Sequence, residues 1–151
     1  NEPASMYGVS DIVAEMLDQG TQKRKAEQLI TDLADLGLSF YGSSGDDYTM
    51  YGMDSLSNLK EKSFQLFWEM MTSPRFDKSD FQRLKSSYIA RLKKQSDDPG
   101  SFASDAFMEF IWVGHPFGVS HKKELKTVEN LQILQVQKFY DDFYYPQNIM
   151  V

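Results

Sequence analysis

Cysteine is absent from the 151-residue chain, so neither a disulfide nor a thiolate metal site can form in any compartment. Histidine is nearly absent too: with only His115 and His121, a site built on three imidazoles is excluded. Basic residues are outnumbered, 16 against 22 acidic ones, for a net charge of −6. A general nucleic-acid binder needs a basic face to neutralise phosphates, so no nucleic-acid partner is expected. No run approaches the roughly 18 apolar residues of a membrane span. No G-x-S-x-G elbow marks a serine hydrolase. Gly42, Gly45 and Gly52 do not open a helix, as a phosphate-cradling loop must. The first residue is Asn1, with no basic segment and apolar run behind it. The expectation is a chain cut from something longer, or processed, with any address signal gone. The compartment is therefore unread; a bacterial cell envelope or periplasm is compatible with the sequence.

Aromatic residues are plentiful: 11 Phe, 8 Tyr and 2 Trp. Each buries roughly 150–250 Å², enough to fill a sizeable core. Helical periodicity dominates the chain. Ile12, Val13, Met16 and Leu17 share one face of a first helix ending near Gly20. A second, at about 23–36, carries Ala26, Leu29, Ile30, Leu33 and Leu36, with Thr21 as its expected N-cap and Gly37 at C′. The period then changes to two. Residues 38–42 and 48–53 flank Ser43-Ser44-Gly45-Asp46-Asp47 and read as a β-hairpin.

A third helix is expected over about 57–72, stopped by Pro74, and a fourth after the N-cap Asp77 with Phe81, Leu84, Tyr88, Ile89 and Leu92. Asp98-Pro99 opens a fifth, with proline at N1 where its missing N–H costs nothing. Its stripe is Phe102, Ala103, Ala106, Phe107, Phe110 and Ile111, and Gly114 closes it. A loop through His115-Pro116-Phe117-Gly118 leads to a last helix at about 133–144, and 148–151 reads as the start of a strand. The aromatic stripes read as core. The fold class is α+β: about six helices packed on an antiparallel β-hairpin.

The order of these signals resembles the insulinase/pitrilysin family of zinc peptidases, the inverted zincins. The residues that carry the resemblance are Gly8, Gly20-Thr21, Leu36-Gly37, Asp47-Tyr48-Thr49-Met50-Tyr51, Ser73-Pro74-Arg75-Phe76, Asp97-Asp98-Pro99, His115-Pro116-Phe117-Gly118, Phe139 and Tyr145-Pro146-Gln147-Asn148. Each motif is short; the ordered set at these spacings makes the match. The resemblance implies part of a processing-peptidase-like α/β domain, with helices on a sheet of about five or six strands. It also implies that 1–151 is a single partial domain whose flanking strands are missing at both ends.

The family's zinc site is His-x-x-Glu-His on the first helix, with the Glu as general base and a third ligand, a Glu, from what is here the fourth helix. Aligned on Gly20-Thr21, these positions fall on Asp11, Ala14 and Glu15. Ala14 cannot accept a proton, and 81–96 contains no Asp or Glu. The resemblance therefore implies a degenerate site with no catalytic and no metal-ligating residues. No cofactor is expected in this segment, zinc belonging to an active half. Asp11 and Glu15, four apart on one helix, read as two solvated carboxylates rather than a new metal pair. His115 reads as structural. His121, beside Lys122 and Lys123, is a poor cation ligand.

In the family, substrate adds as a strand along the first strand of the hairpin. That strand is Leu38, Ser39, Phe40, Tyr41 and Gly42, with Tyr41 where the family has Asn. The implied function is a non-catalytic homologous domain that forms chamber wall and substrate-peptide contacts for a zinc-bearing half. The implied partners are that half and a peptide substrate. The alternative is a structural scaffold subunit of a larger complex, with no role in proteolysis; a His-x-x-Glu-His elsewhere in the protein separates the two. With strands missing, part of a stripe such as Phe81/Leu84/Tyr88 or Phe102/Ala106/Phe110 is left facing water, and self-association is the expected remedy.

Overall fold

Helix α1, Val9–Met16, runs through the middle of the molecule, and six of its eight residues are buried. An eight-residue helix with so little polar surface is stable only when other elements cover it on several sides. Its cover comes from α4 (Lys78–Asp97), α6 (His121–Asn130) and α7 (Ile133–Phe143). Together they bury Val9, Ile12, Val13, Met16, Phe81, Leu84, Tyr88, Leu92, Val128, Val136 and Phe139 in one core. The computed structural model describes residues 2–45 and 47–150. Asp46, in the expected hairpin turn, and Val151, at the end of the expected last strand, lie outside the described residues.

A second, smaller core joins α2 (Ala26–Asp35) and α3 (Lys60–Thr72) to the hairpin through Leu17, Leu29, Leu66, Met70 and Met71. The hairpin is β1 (Ser39–Ser44) antiparallel to β2 (Thr49–Asp54), with Tyr41 opposite Gly52 and Gly42 opposite Tyr51. Each tyrosine ring lies across the facing glycine. A Cβ at Gly52 would meet the Tyr41 ring at 2.3 Å, and one at Gly42 would meet the Tyr51 ring at 2.7 Å. On the inner face Tyr51 stacks on Phe40, and its hydroxyl lies 2.8 Å from that of Tyr144.

Several caps fall where the sequence puts them. The Asp77 carboxylate accepts from the Ser79 and Asp80 amides to start α4. Asp98 accepts from Ser101 to start α5 (Pro99–Ile111). Gly37, at φ 58°, ends α2: its N–H bonds to Ala34 O, and the Leu38 N–H bonds to Leu33 O. This is the paired closure that a left-handed C′ residue permits.

Other readings are corrected. Thr21 does not cap α2, whose N-cap is Lys25. Instead Thr21 is fully buried, accepts from the Lys23 and Arg24 amides, and donates to Glu69. Helix α6 forms where the sequence reading placed no element. Leu38 precedes β1, its amide consumed by the α2 closure and its side chain buried. The expected strand at 148–151 does not form among the described residues: Pro146–Asn148 is a 3-10 turn. The stripe of α5 is not core. Phe102, Phe107 and Phe110 are 61%, 62% and 81% exposed, because among the described residues the main neighbours of α5, α4 and the turn at 116–118, pack on its opposite side. The Phe81/Leu84/Tyr88 stripe, by contrast, is buried.

Candidate functional site

Helix α1 starts at Gly8, whose φ of 85° suits glycine and whose missing side chain leaves room for Val128. Gly8 has no capping side chain of its own. Glu2 supplies one from outside the helix: its carboxylate accepts from the Gly8 amide at 2.9 Å and the Ser10 amide at 2.7 Å, and from the Ser10 hydroxyl at 2.7 Å. A carboxylate at this end also meets the positive end of the helix dipole.

One turn further on, Asp11 faces a shallow pocket of about 170 Å³. Glu2, Tyr7, Glu124, the β1 end at Ser44-Gly45 and Phe117 line the same pocket. Burial, with the nearby carboxylates of Glu124 and Glu2, pushes the Asp11 carboxyl up to about 7. Burial also raises Glu124, against the hydrogen bond it accepts from the Tyr88 hydroxyl. Three carboxylates from the N-terminal segment, α1 and α6 thus crowd one end of α1.

The next turn is different. Ala14 is 7% exposed and offers only a methyl group. Glu15 accepts from the Arg91 guanidinium at 2.6 Å, and that guanidinium also lies 4.5 Å over the Tyr88 ring. Asp11 and Glu15 are therefore not a solvated pair. One is shielded and crowded by acids, the other neutralised by α4. The sequence offered little sign of this. The absence of acids in 81–96 was legible, but that a cation and a tyrosine of that stretch would meet Glu15 and Glu124 was not.

The histidines serve local structure. Nδ1 of His115 accepts from the Phe117 amide at 3.2 Å. His121 bonds to Asp105 through both its backbone amide, at 3.0 Å, and its ring, at 2.8 Å. No group of three or more His, Asp or Glu side chains suited to a metal occurs among the described residues.

The family model for insulinase (peptidase family M16) matches residues 1–121. The chain belongs to the insulinase family. Among its relatives, an uncharacterised zinc protease of Streptomyces coelicolor is 20% identical over 151 residues, covering all of this chain and 33% of the relative. An uncharacterised zinc protease of Rickettsia felis is 20% identical over 148 residues, covering 98% of this chain and 36% of the relative. The chain thus spans about a third of the length of the curated relatives it matches.

The fold is shared with solved peptidase structures. It superposes on the M16 inactive domain from Pseudomonas fluorescens with a TM-score of 0.83 and 23% identity, over 90% of this chain and 34% of that one. A protease from Helicobacter pylori gives a TM-score of 0.88 and 21% identity, over 98% of this chain and 36% of that one.

An insulinase-family chain raises the question of zinc, and the donor set on α1 and α4 does not fit it. Zinc takes imidazole, thiolate or carboxylate donors in a tetrahedral set. Here Glu15 is held by a cation, Ala14 has no donor, and α4 meets α1 with apolar Phe81, Leu84 and Leu92, with Tyr88 and with the Arg91 guanidinium, none of them a carboxylate or imidazole. A dication beside the Arg91 guanidinium would meet like charge where it needs a ligand.

Proposed function

We propose that this chain is a non-catalytic domain of an insulinase-type peptidase. It would form part of a chamber wall and contact substrate peptide on behalf of a homologous zinc-bearing half. Residues 1–151 are read as one partial domain. Asp11, Ala14 and Glu15 are read as the degenerate counterparts of His-x-x-Glu-His. The observation that carries the reading is the buried Ala14 methyl beside a Glu15 already committed to Arg91. A general base is typically worth about 10²–10⁴-fold in rate, and no side chain at position 14 can supply it. The Pseudomonas fluorescens relative, itself named an inactive domain, supports the same reading.

The peptide contact is proposed for β1. Its partner β2 covers one edge, and the other has no strand beside it among the described residues. The Gly45 amide donates to Tyr48 O, marking a hydrogen-bonded pair next to the turn. Alternation then turns the N–H and C=O groups of Phe40, Gly42 and Ser44 toward the open edge. Ser39 and Tyr41 spend theirs on β2, and Tyr41 adds its ring across Gly52. An extended peptide can pair there through backbone bonds, independent of its sequence.

Hydrogen exchange with and without a pool of unstructured peptides tests this. Slowed exchange at Phe40, Gly42 and Ser44, with no peptide cleavage even with added zinc, is the expected result. Unchanged exchange along β1 would favour the scaffold role. Cleavage that Asp11→Ala abolishes would refute the non-catalytic reading.

A further inference from the structure

The residues ahead of α1 are fastened to it at one polar point. Residues 3–5 are exposed, and Glu2 reaches back from beyond them to the first turn of the helix. Its carboxylate accepts from the Gly8 and Ser10 amides and from the Ser10 hydroxyl, all within 2.9 Å. Nearer the helix the chain is held by other means. Met6 packs against the main core, and Tyr7 O accepts from the Thr127 hydroxyl. Glu2 thus closes a short loop over a helix end that is itself fixed.

The seat of that carboxylate is crowded. Asp11 of α1 and Glu124 of α6 face the same pocket. Tyr88 and Arg91 of α4 lie within electrostatic reach of Asp11, as do Tyr51 of the hairpin and Tyr144 beyond α7. His121 stands beside Glu124. The two cations are already engaged, Arg91 with Glu15 and His121 with Asp105. None of the three carboxylates has an ion-pair partner among the described residues.

We propose that Glu2 and residues 3–5 form a pH-dependent strap on α1, closed while Asp11 is protonated and released when Asp11 ionises. Burial, then Glu124, then Glu2 raise the Asp11 carboxyl to about 7, and the Glu2 share works in both directions: ionised Asp11 destabilises Glu2 in its seat by the same amount. Of the three acids Glu2 is the one that can leave, because Asp11 and Glu124 sit within helices. Its departure removes one like charge and gives the Asp11 carboxylate water. Closure is therefore fullest well below pH 7, weakens as pH rises toward 7, and levels off above it. Glu2 also lines the pocket beside the β1 end, so the strap sets one wall of that pocket. The inference does not depend on the peptide contact proposed for β1.

Amide exchange of the 151-residue chain, followed residue by residue by NMR and corrected for intrinsic rates, tests it. Protection of the Gly8 and Ser10 amides is expected to fall roughly tenfold between about pH 5 and pH 8, equivalent to one pKa unit of coupling. Val13 and Met16, within α1, are expected to lose distinctly less. Asp11→Asn keeps the shape of the protonated carboxyl and should hold Gly8 and Ser10 protected at both pH values. Glu2→Ala should expose both amides at both. Circular dichroism establishes that each variant keeps the wild-type helix content. Wild-type protection that is the same at the two pH values overturns the inference. So does a fall that persists in Asp11→Asn, since another group would then be the trigger. Equal losses at Gly8, Ser10, Val13 and Met16 overturn it as well, because α1 would be opening as a whole. Unchanged protection in Glu2→Ala does the same, because the strap would not be what shields these amides.

Discussion

Helices α4 and α5 meet at Asp97-Asp98-Pro99 and carry aromatic stripes of similar strength, yet they end in opposite surroundings. Phe81, Leu84, Tyr88 and Leu92 on α4 are all at most 8% exposed, while α5 buries no residue. The difference does not lie in the stripes. It lies in what stands opposite: α1 and α6 cover α4, and nothing among the described residues covers the outer face of α5. A periodic stripe states that a helix has an apolar side; only the remaining elements decide whether that side becomes core.

The largest expected effect tests this contrast directly. Phe81→Ala should cost about 3–5 kcal/mol in urea unfolding, the usual loss for a fully buried phenylalanine. Phe110→Ala, measured at concentrations where the chain is monomeric, should fall within about 0.5 kcal/mol of wild type. Equal costs at the two positions would mean that α5 is covered after all.

The polar side of the α1 interface gives the next effect. Burial, then Glu124 and Glu2, hold the Asp11 carboxyl at about 7, against 3.8 when exposed. The folded state therefore binds this proton more tightly than the unfolded chain. Its contribution is present in full below about 4, is lost as pH rises through about 7, and is absent above that. Glu124 is raised too and adds with the same sign. Below about 4 the lowered carboxyls, Asp77 at about 2 among them, begin to oppose it. Thermal melts should thus show greater stability near pH 5 than near pH 8, by about 1–3 kcal/mol. Asp11→Asn should flatten most of that slope. A wild-type profile that rises toward pH 8 would show that the acids at this end of α1 are better solvated than their positions indicate.

A smaller effect concerns the cation that α4 sends to α1. Arg91→Met removes the bond to Glu15 and the stacking on Tyr88 and should cost about 1 kcal/mol. Lys138→Met removes an exposed pair with Asp142 and should cost no more than about 0.5 kcal/mol. Indistinguishable denaturation midpoints would reduce the Arg91 contact to an ordinary surface pair.

Much of the framework was legible in the sequence because short local signals specify it. Asp77 and Asp98-Pro99 start helices, Gly37 ends one, and alternation around Gly45 marks the hairpin. Helix α6 was not legible: its ten residues hold only Leu125 and Val128 as apolar members, too few for a stripe. The available signal was Ser120 ahead of a run of helix formers with Glu124 and Leu125 one turn in. That omission hid Glu124, and with it the crowding around Asp11. The α1 replacements were readable at positions 11, 14 and 15 because Gly20-Thr21 fixes their register. What surrounds them depends on contacts between residues as far apart as 15 and 91, which no local pattern encodes.

Whether the α1–α4 interface can hold a metal ion is measured most directly by equilibrium dialysis against micromolar zinc followed by metal analysis. The arrangement of Asp11, Ala14, Glu15 and Arg91 predicts no stoichiometric zinc in the dialysed protein. One zinc per chain, retained through dialysis and lost in Asp11→Ala, would contradict it.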